Sequence, residues 1–164
     1  MKYETFMAIA RTIATESTCC SKQVGALIVK NDRIISHGYN GSPAGALHCE
    51  AAGLREGWMV NLLGVGPTIV DRPRHSAWSE QNEIHAEQNA ICYAARNGLA
   101  VNNAVMFVTM SPCIHCSKLI VGAGIEAVVV DTVYDRAASN WYQWLKDHGV
   151  VVLLRDQDNK YKEL

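Results

Sequence analysis

A chain of 164 residues with 49% hydrophobic and 19% charged content has the composition of a globular domain and the length to bury a core. Fifteen basic residues against sixteen acidic ones, a net charge of −1, leave no basic surplus for gripping a nucleic acid polymer. No apolar run reaches the length of a bilayer crossing. The first segment, 1–17, interrupts its apolar positions with Glu4, Arg11 and Glu16. It reads as an amphipathic helix and not as a signal peptide, which predicts a cytoplasmic protein. Strand-like runs at 24–29 and 33–38 follow, joined at Lys30-Asn31-Asp32 in a hairpin signal. Residues 41–83 hold most of the prolines and many of the glycines and read as an irregular insertion. A helix at 84–97, a strand at 104–108, a helix at 113–123, a strand at 126–130, a helix at 137–147 and a strand at 150–154 complete the order. Near-continuous apolar strands separated by helices predict an α/β fold in one domain over 1–164, a three-layer α-β-α sandwich around a five-stranded mixed sheet.

The chemistry concentrates in His85-Ala86-Glu87 and Pro112-Cys113-Ile114-His115-Cys116. One imidazole and two thiolates make three ligands for a zinc ion that prefers four, so one position stays open for water. Glu87 would then stand beside that water and move its proton. Residues two apart lie about 200° around a regular helix, so His85 and Glu87 can face one metal only at a helix start. Cys113 and Cys116 open the next helix, with Ser111-Pro112 read as capping residue and helix-start proline, and the helix dipole there favours thiolates. A C-x-x-C pair alone also serves redox chemistry or a structural zinc site, and H-x-E alone says little. Their conjunction is the signature of zinc nucleobase deaminases, and the balanced charge points to a free nucleotide or nucleoside as substrate.

These residues, with Ser21-Lys22-Gln23-Val24-Gly25, Gly38-Tyr39-Asn40-Gly41 and Lys118-Leu119-Ile120, give the chain its resemblance to the cytidine deaminase superfamily. Within it, the chain resembles the deoxycytidylate (dCMP) deaminases of the phage and eukaryotic type. The resemblance implies hydrolysis of dCMP to dUMP and ammonia, with zinc at His85, Cys113 and Cys116 activating water for attack on C4 of cytosine. Glu87 would carry the proton to N3 and then to the departing amine. The backbone near Ala86 and Ser111 would hold the base edge, Asn40 would reach the sugar, and Tyr134 would line the pocket. Arg136 and Lys22 are the candidates for the 5′-phosphate. It further implies a homohexamer activated by dCTP and inhibited by dTTP, the triphosphate accompanied by magnesium and bound at Gly38, Tyr39, Asn40, Gly41, Ser42 and Pro43. Tyr93 and Arg96 are its candidates for subunit contact or effector signalling. If the source is a virus, the compartment is the host cytoplasm.

Cys19, Cys49 and His75 stand outside the catalytic set, and the resemblance implies a second, structural zinc on them, with Glu83 as fourth ligand and His48 in reserve. The physical expectation is that a loop-rich segment without a core of its own gains from such a clip. Cys20 and Cys92 read as neutral small hydrophobes, His37 and His148 as ordinary, and His115 as turned from the metal. Trp141 and Trp144 read as packing or subunit interface. A transfer-RNA adenosine deaminase shares the zinc motifs and is the alternative. Against it stand the neutral charge and the Gly-Tyr-Asn-Gly segment. A catalytically dead zinc module would be expected to lack Glu87.

Overall fold

The structure, a computed structural model, describes residues 2–134 and 141–164. Helix α1 (Tyr3–Ala14) leads into strands β1 (Gly25–Lys30) and β2 (Arg33–Tyr39), then α2 (Cys49–Glu56), β3 (Met59–Leu62), β4 (Gly66–Ile69) and α3 (Arg72–Asn82). The chain continues through α4 (Ala86–Arg96), β5 (Val105–Met110), α5 (Ile114–Gly122), β6 (Ala127–Thr132), α6 (Gln143–Asp147), β7 (Val151–Arg155) and β8 (Tyr161–Glu163). The main sheet runs β2-β1-β5-β6-β7-β8, with β5, β6 and β7 parallel and the other neighbours antiparallel. The α/β sandwich with a mixed sheet is as expected, but there are six strands and not five. The sixth, β8, is a three-residue edge strand too short and too polar to show an alternating pattern.

Side chains alternate across this sheet with the period of two that a strand imposes. Ala26, Ile28, Met106, Val108, Val128 and Val130 face a core completed by α4, α5 and α6. Leu27, Val29, Phe107 and Val129 face Met7 and Ala10 of α1 on the other side. Both faces are therefore covered, which explains why these strands read as continuous apolar runs. Helix α4 lies close on β2. Ser36 Oγ donates to Ala90 O at 2.6 Å, Asn89 Nδ2 donates to Tyr39 O at 2.6 Å, and Gly38 supplies the room between them.

The stretch 41–83, expected to be irregular, carries two helices and a hairpin. It also has a small core of its own, Cys19, Cys49, Ala52, Trp58 and Met59 with Ile69 and Trp78 against it. Elements of four to eleven residues are too short for periodicity to reveal, and two tryptophans supply much of the packing. The expected helix at 137–147 is described only as Gln143–Asp147. Trp141 and Trp144 are half-buried against the main core, and Trp144 stacks on His148 at 4.0 Å. Among the described residues no helix is long and apolar enough to cross a membrane.

Candidate active site

His85 is the N-cap of α4 and Cys113 the N-cap of α5, so Glu87 and Cys116 fall in the first turns of those helices. The cap of α5 is thus Cys113 itself and not Ser111, because the Ser111 hydroxyl is engaged elsewhere, accepting the Tyr134 N–H at 2.8 Å. The Gln88 side chain accepts the His85 N–H at 2.9 Å and fixes the start of α4. Just upstream, Ile84 pairs with Gly41 in an isolated bridge, tying this entry to the end of β2.

His85 Nδ1 lies 3.6 Å from Cys113 Sγ and 3.4 Å from Cys116 Sγ, and the three ligand atoms fall within 4.8 Å of one another. Zinc bonds of roughly 2.0–2.3 Å opened to a tetrahedral angle put an imidazole nitrogen and a thiolate about 3.6 Å apart, so the donor set fits that ion. A hydrogen bond from the Cys116 thiol draws Cys113 down to about 3, against the cost of its burial, and His85 adds to the effect. The same bond and burial push Cys116 up. His85 is raised, chiefly by its hydrogen bond with Cys113. Glu87 is only 4% exposed, and burial pushes its carboxyl above the usual range. A carboxyl raised in this way holds a proton more readily than an exposed one, which suits a proton carrier.

Cys19, Cys49 and His75 form a second buried triad, also within 4.8 Å, with Cys19 Sγ and His75 Nε2 4.0 Å apart. The Ser21 N–H points at Cys19 Sγ from 3.5 Å. The Cys19 thiol is pushed up by its hydrogen bond with Cys49 and by burial, while burial lowers His75 and favours the neutral imidazole a metal needs. Trp58 stands edge-on to His75 at 5.3 Å. Glu83 lies outside the compact triad. Its Oε2 accepts from Ser79 Oγ, and its Oε1 is buried with no hydrogen-bond partner among the described residues. His48 is exposed at the cap of α2 and is not in the triad.

One cleft of about 770 Å³ joins the two sets: His85, Glu87 and Cys113 line it together with Cys19, His75 and Glu83. Lys22, Asn40, Ala86, Ser111 and Tyr134 also border it, and so does the exposed His115. Arg136 lies outside the described residues. The Asn40 amide is largely engaged: Oδ1 accepts from Ser17 Oγ at 2.7 Å and Val24 N at 2.8 Å, and Nδ2 donates to Lys22 O at 2.8 Å. Of the segment expected to bind an effector, Gly38, Asn40 and Gly41 are buried, whereas Tyr39 and Pro43 face solvent and Ser42 is half-buried. Tyr93 is exposed beside His37, Arg96 ends α4 exposed, and Cys20 and Cys92, read as neutral small hydrophobes, are exposed. Sequence reasoning missed Arg72, Ser79 and Trp58, which no motif spacing marks and which reach the cleft or its metal triad only through the path of α3 and the hairpin.

A mixed sheet carrying a His-Cys-Cys triad and a buried carboxylate at two helix starts defines the class of zinc-dependent hydrolytic deaminases. The model of the cytidine and deoxycytidylate deaminase zinc-binding region matches residues 1–132, and the chain belongs to that family. A deoxycytidylate deaminase of Enterobacteria phage T2 is 43% identical, over 93% of this chain and 91% of its own. The dCMP deaminase of cyanophage S-TIM5, solved in complex with dCMP and dUMP, superposes with a TM-score of 0.69 at 30% identity, covering 92% of this chain and 94% of that one. A tRNA:A34 deaminase structure, at 19% identity and a TM-score of 0.51 over 85% of this chain and 84% of its own, shares the fold alone.

Proposed function

We propose that the protein hydrolyses dCMP to dUMP and ammonia, supplying the route to dTMP. The observation that carries the reading is a buried Glu87 two residues beyond His85, facing the same cleft as Cys113. His85, Cys113 and Cys116 would hold the zinc, which when bound would supply a Lewis acid that brings the pKa of water toward neutrality. Glu87, whose carboxyl burial raises, would carry one proton of the attacking water to N3 of the ring, where it stays, and in a second transfer the proton of the new C4 hydroxyl to the amine as the C4–N bond breaks. Ser111 is fixed from two sides, its N–H donating to Thr132 O at 2.9 Å and its hydroxyl accepting from Tyr134, so its backbone and that of Ala86 can meet the base edge without reorganising. Asn40 retains one amide hydrogen for the sugar. Lys22 and Arg136 are the phosphate candidates carried by the resemblance.

Cys19, Cys49 and His75 would hold a structural zinc, and Glu83, one of whose carboxylate oxygens is buried without a hydrogen-bond partner, is the fourth-ligand candidate the resemblance carries. The donor types, their burial and the orphan oxygen support this assignment. Activation by dCTP and inhibition by dTTP with magnesium, through Gly38 to Pro43, and assembly as a homohexamer in the cytoplasm rest on the resemblance and on similarity to the phage enzymes.

The test is ammonia release from purified protein offered dCMP, deoxycytidine, dCTP and an adenosine stem-loop RNA, each with and without triphosphate effectors. Turnover of dCMP, raised by dCTP and lowered by dTTP, is expected. Activity on the RNA alone would overturn the substrate, and indifference to both triphosphates would remove the regulation. Elemental analysis should give two zinc ions per chain.

A further inference from the structure

We infer that Arg72, at the first turn of α3, joins Ser21 and Lys22 to form the seat for the phosphate of the substrate, and so sets the preference for a nucleotide over a nucleoside. Such a seat presupposes that dCMP is the substrate, as proposed above.

The charged lining of the cleft narrows the candidates for the seat. Among its described residues three carboxylates, Glu80, Glu83 and Glu87, face Lys22 and Arg72 as the only lysine and arginine. A phosphomonoester carrying between one and two negative charges at neutral pH finds on that lining these two side-chain cations to meet it.

Arg72 is suited to meeting a phosphate. Its Nη1 donates to Ser21 Oγ at 2.8 Å, which aims the guanidinium across to the segment carrying Lys22. Among the described residues no carboxylate lies within ion-pairing distance of it. One of its five N–H donors is used there, and a planar fork remains for two phosphate oxygens.

The position is also tied to the chemistry by contacts. The Lys22 ammonium lies 5.9 Å from the centre of the Tyr134 ring, the Tyr134 N–H holds Ser111, and Ser111 precedes the thiolates of α5. On the other side, Cys19 stands two residues before Ser21 and His75 three residues after Arg72. Their ligand atoms are 4.0 Å apart, so the same approach of chain segments that forms the second triad brings Arg72 to Ser21.

The test compares kcat/KM for dCMP and deoxycytidine in the wild type, Arg72→Gln and Arg72→Lys, and measures dUMP and deoxyuridine as competitive inhibitors of each. Arg72→Gln should lose roughly 10- to 100-fold on dCMP, the worth of a charge-assisted hydrogen bond. It should lose the same factor in dUMP inhibition, mostly through KM, with deoxycytidine turnover and deoxyuridine inhibition unchanged. Arg72→Lys should recover part of the loss, since it keeps the charge without the fork. Equal losses on nucleotide and nucleoside, or an unchanged preference in an enzyme that turns over dCMP, would overturn the seat. A wild type with no dCMP turnover would overturn the dCMP reading itself, and the seat with it.

Discussion

Gly38 is where the sheet and the catalytic helix touch, and Gly38→Ala should therefore damage both stability and turnover. A Cβ built there meets Ala86 O and Ala90 N at 2.5 Å and Asn89 Cβ at 2.8 Å, whereas ordinary contact begins near 3.4 Å. Helix α4 would have to retreat by about 1 Å. It cannot do so freely, because Ser36 and Asn89 clamp it to β2 on either side. Overpacking of this kind costs about 1–3 kcal/mol, which in a chain of this size lowers the melting temperature by roughly 2–12 °C. The same displacement moves His85 and Glu87 relative to Cys113 and Cys116, and about 1 Å at a catalytic centre is worth on the order of 10²-fold in rate. The assay is thermal unfolding, zinc content and ammonia release, with Gly122→Ala as the matched control. Gly122 lies at the end of α5 with nothing within 4 Å of its Cβ position, so alanine there should be neutral or slightly stabilising. If Gly38→Ala melts with the control and works within about twofold of it, the close approach of β2 and α4 is not what holds the centre together.

Glu87→Gln should retain the zinc of the first triad and lose roughly 10²- to 10⁴-fold in turnover, measured by metal analysis beside ammonia release. Full activity in that variant would remove the proton carrier from the mechanism. Cys49→Ser should cut the metal content from two ions to one and loosen the α2–α3 region, seen as faster amide exchange there, because Cys49 and His75 lie on different helices. An unchanged zinc count would leave Cys49 as packing only. Glu4 has its carboxyl held below the usual range first by the Arg11 hydrogen bond, so its contribution is present above the unfolded value of 4.5 and lost as pH falls through the lowered value. The stability difference between wild type and Glu4→Gln should accordingly be small but measurable at neutral pH, since the side chain is half exposed, and vanish in acid. A difference that grew toward low pH would reverse the assignment.

The order of elements was legible because it rests on short-range rules. Apolar runs such as 24–29, 104–108 and 126–130 had to be strands buried on both faces, and the spacing of His85 with Glu87 made sense only at a helix start. The sequence alone thus determined the sandwich, the donor set of His85, Cys113 and Cys116 that the fold brings together, and the class of reaction. Tertiary structure alone decided what depends on segments far apart in the chain. It showed that 41–83 folds on Trp58 and Trp78 with a core of its own, that the sheet gains β8, and that Gly38 is a packing contact between β2 and α4. It also turned most of the Asn40 amide toward the 17–24 loop, set Glu83 apart from the second triad with an orphan oxygen, and drew Arg72 against Ser21, fifty-one positions away. Periodicity and spacing report on neighbours along the chain, whereas these contacts are fixed by which faces meet when the layers close.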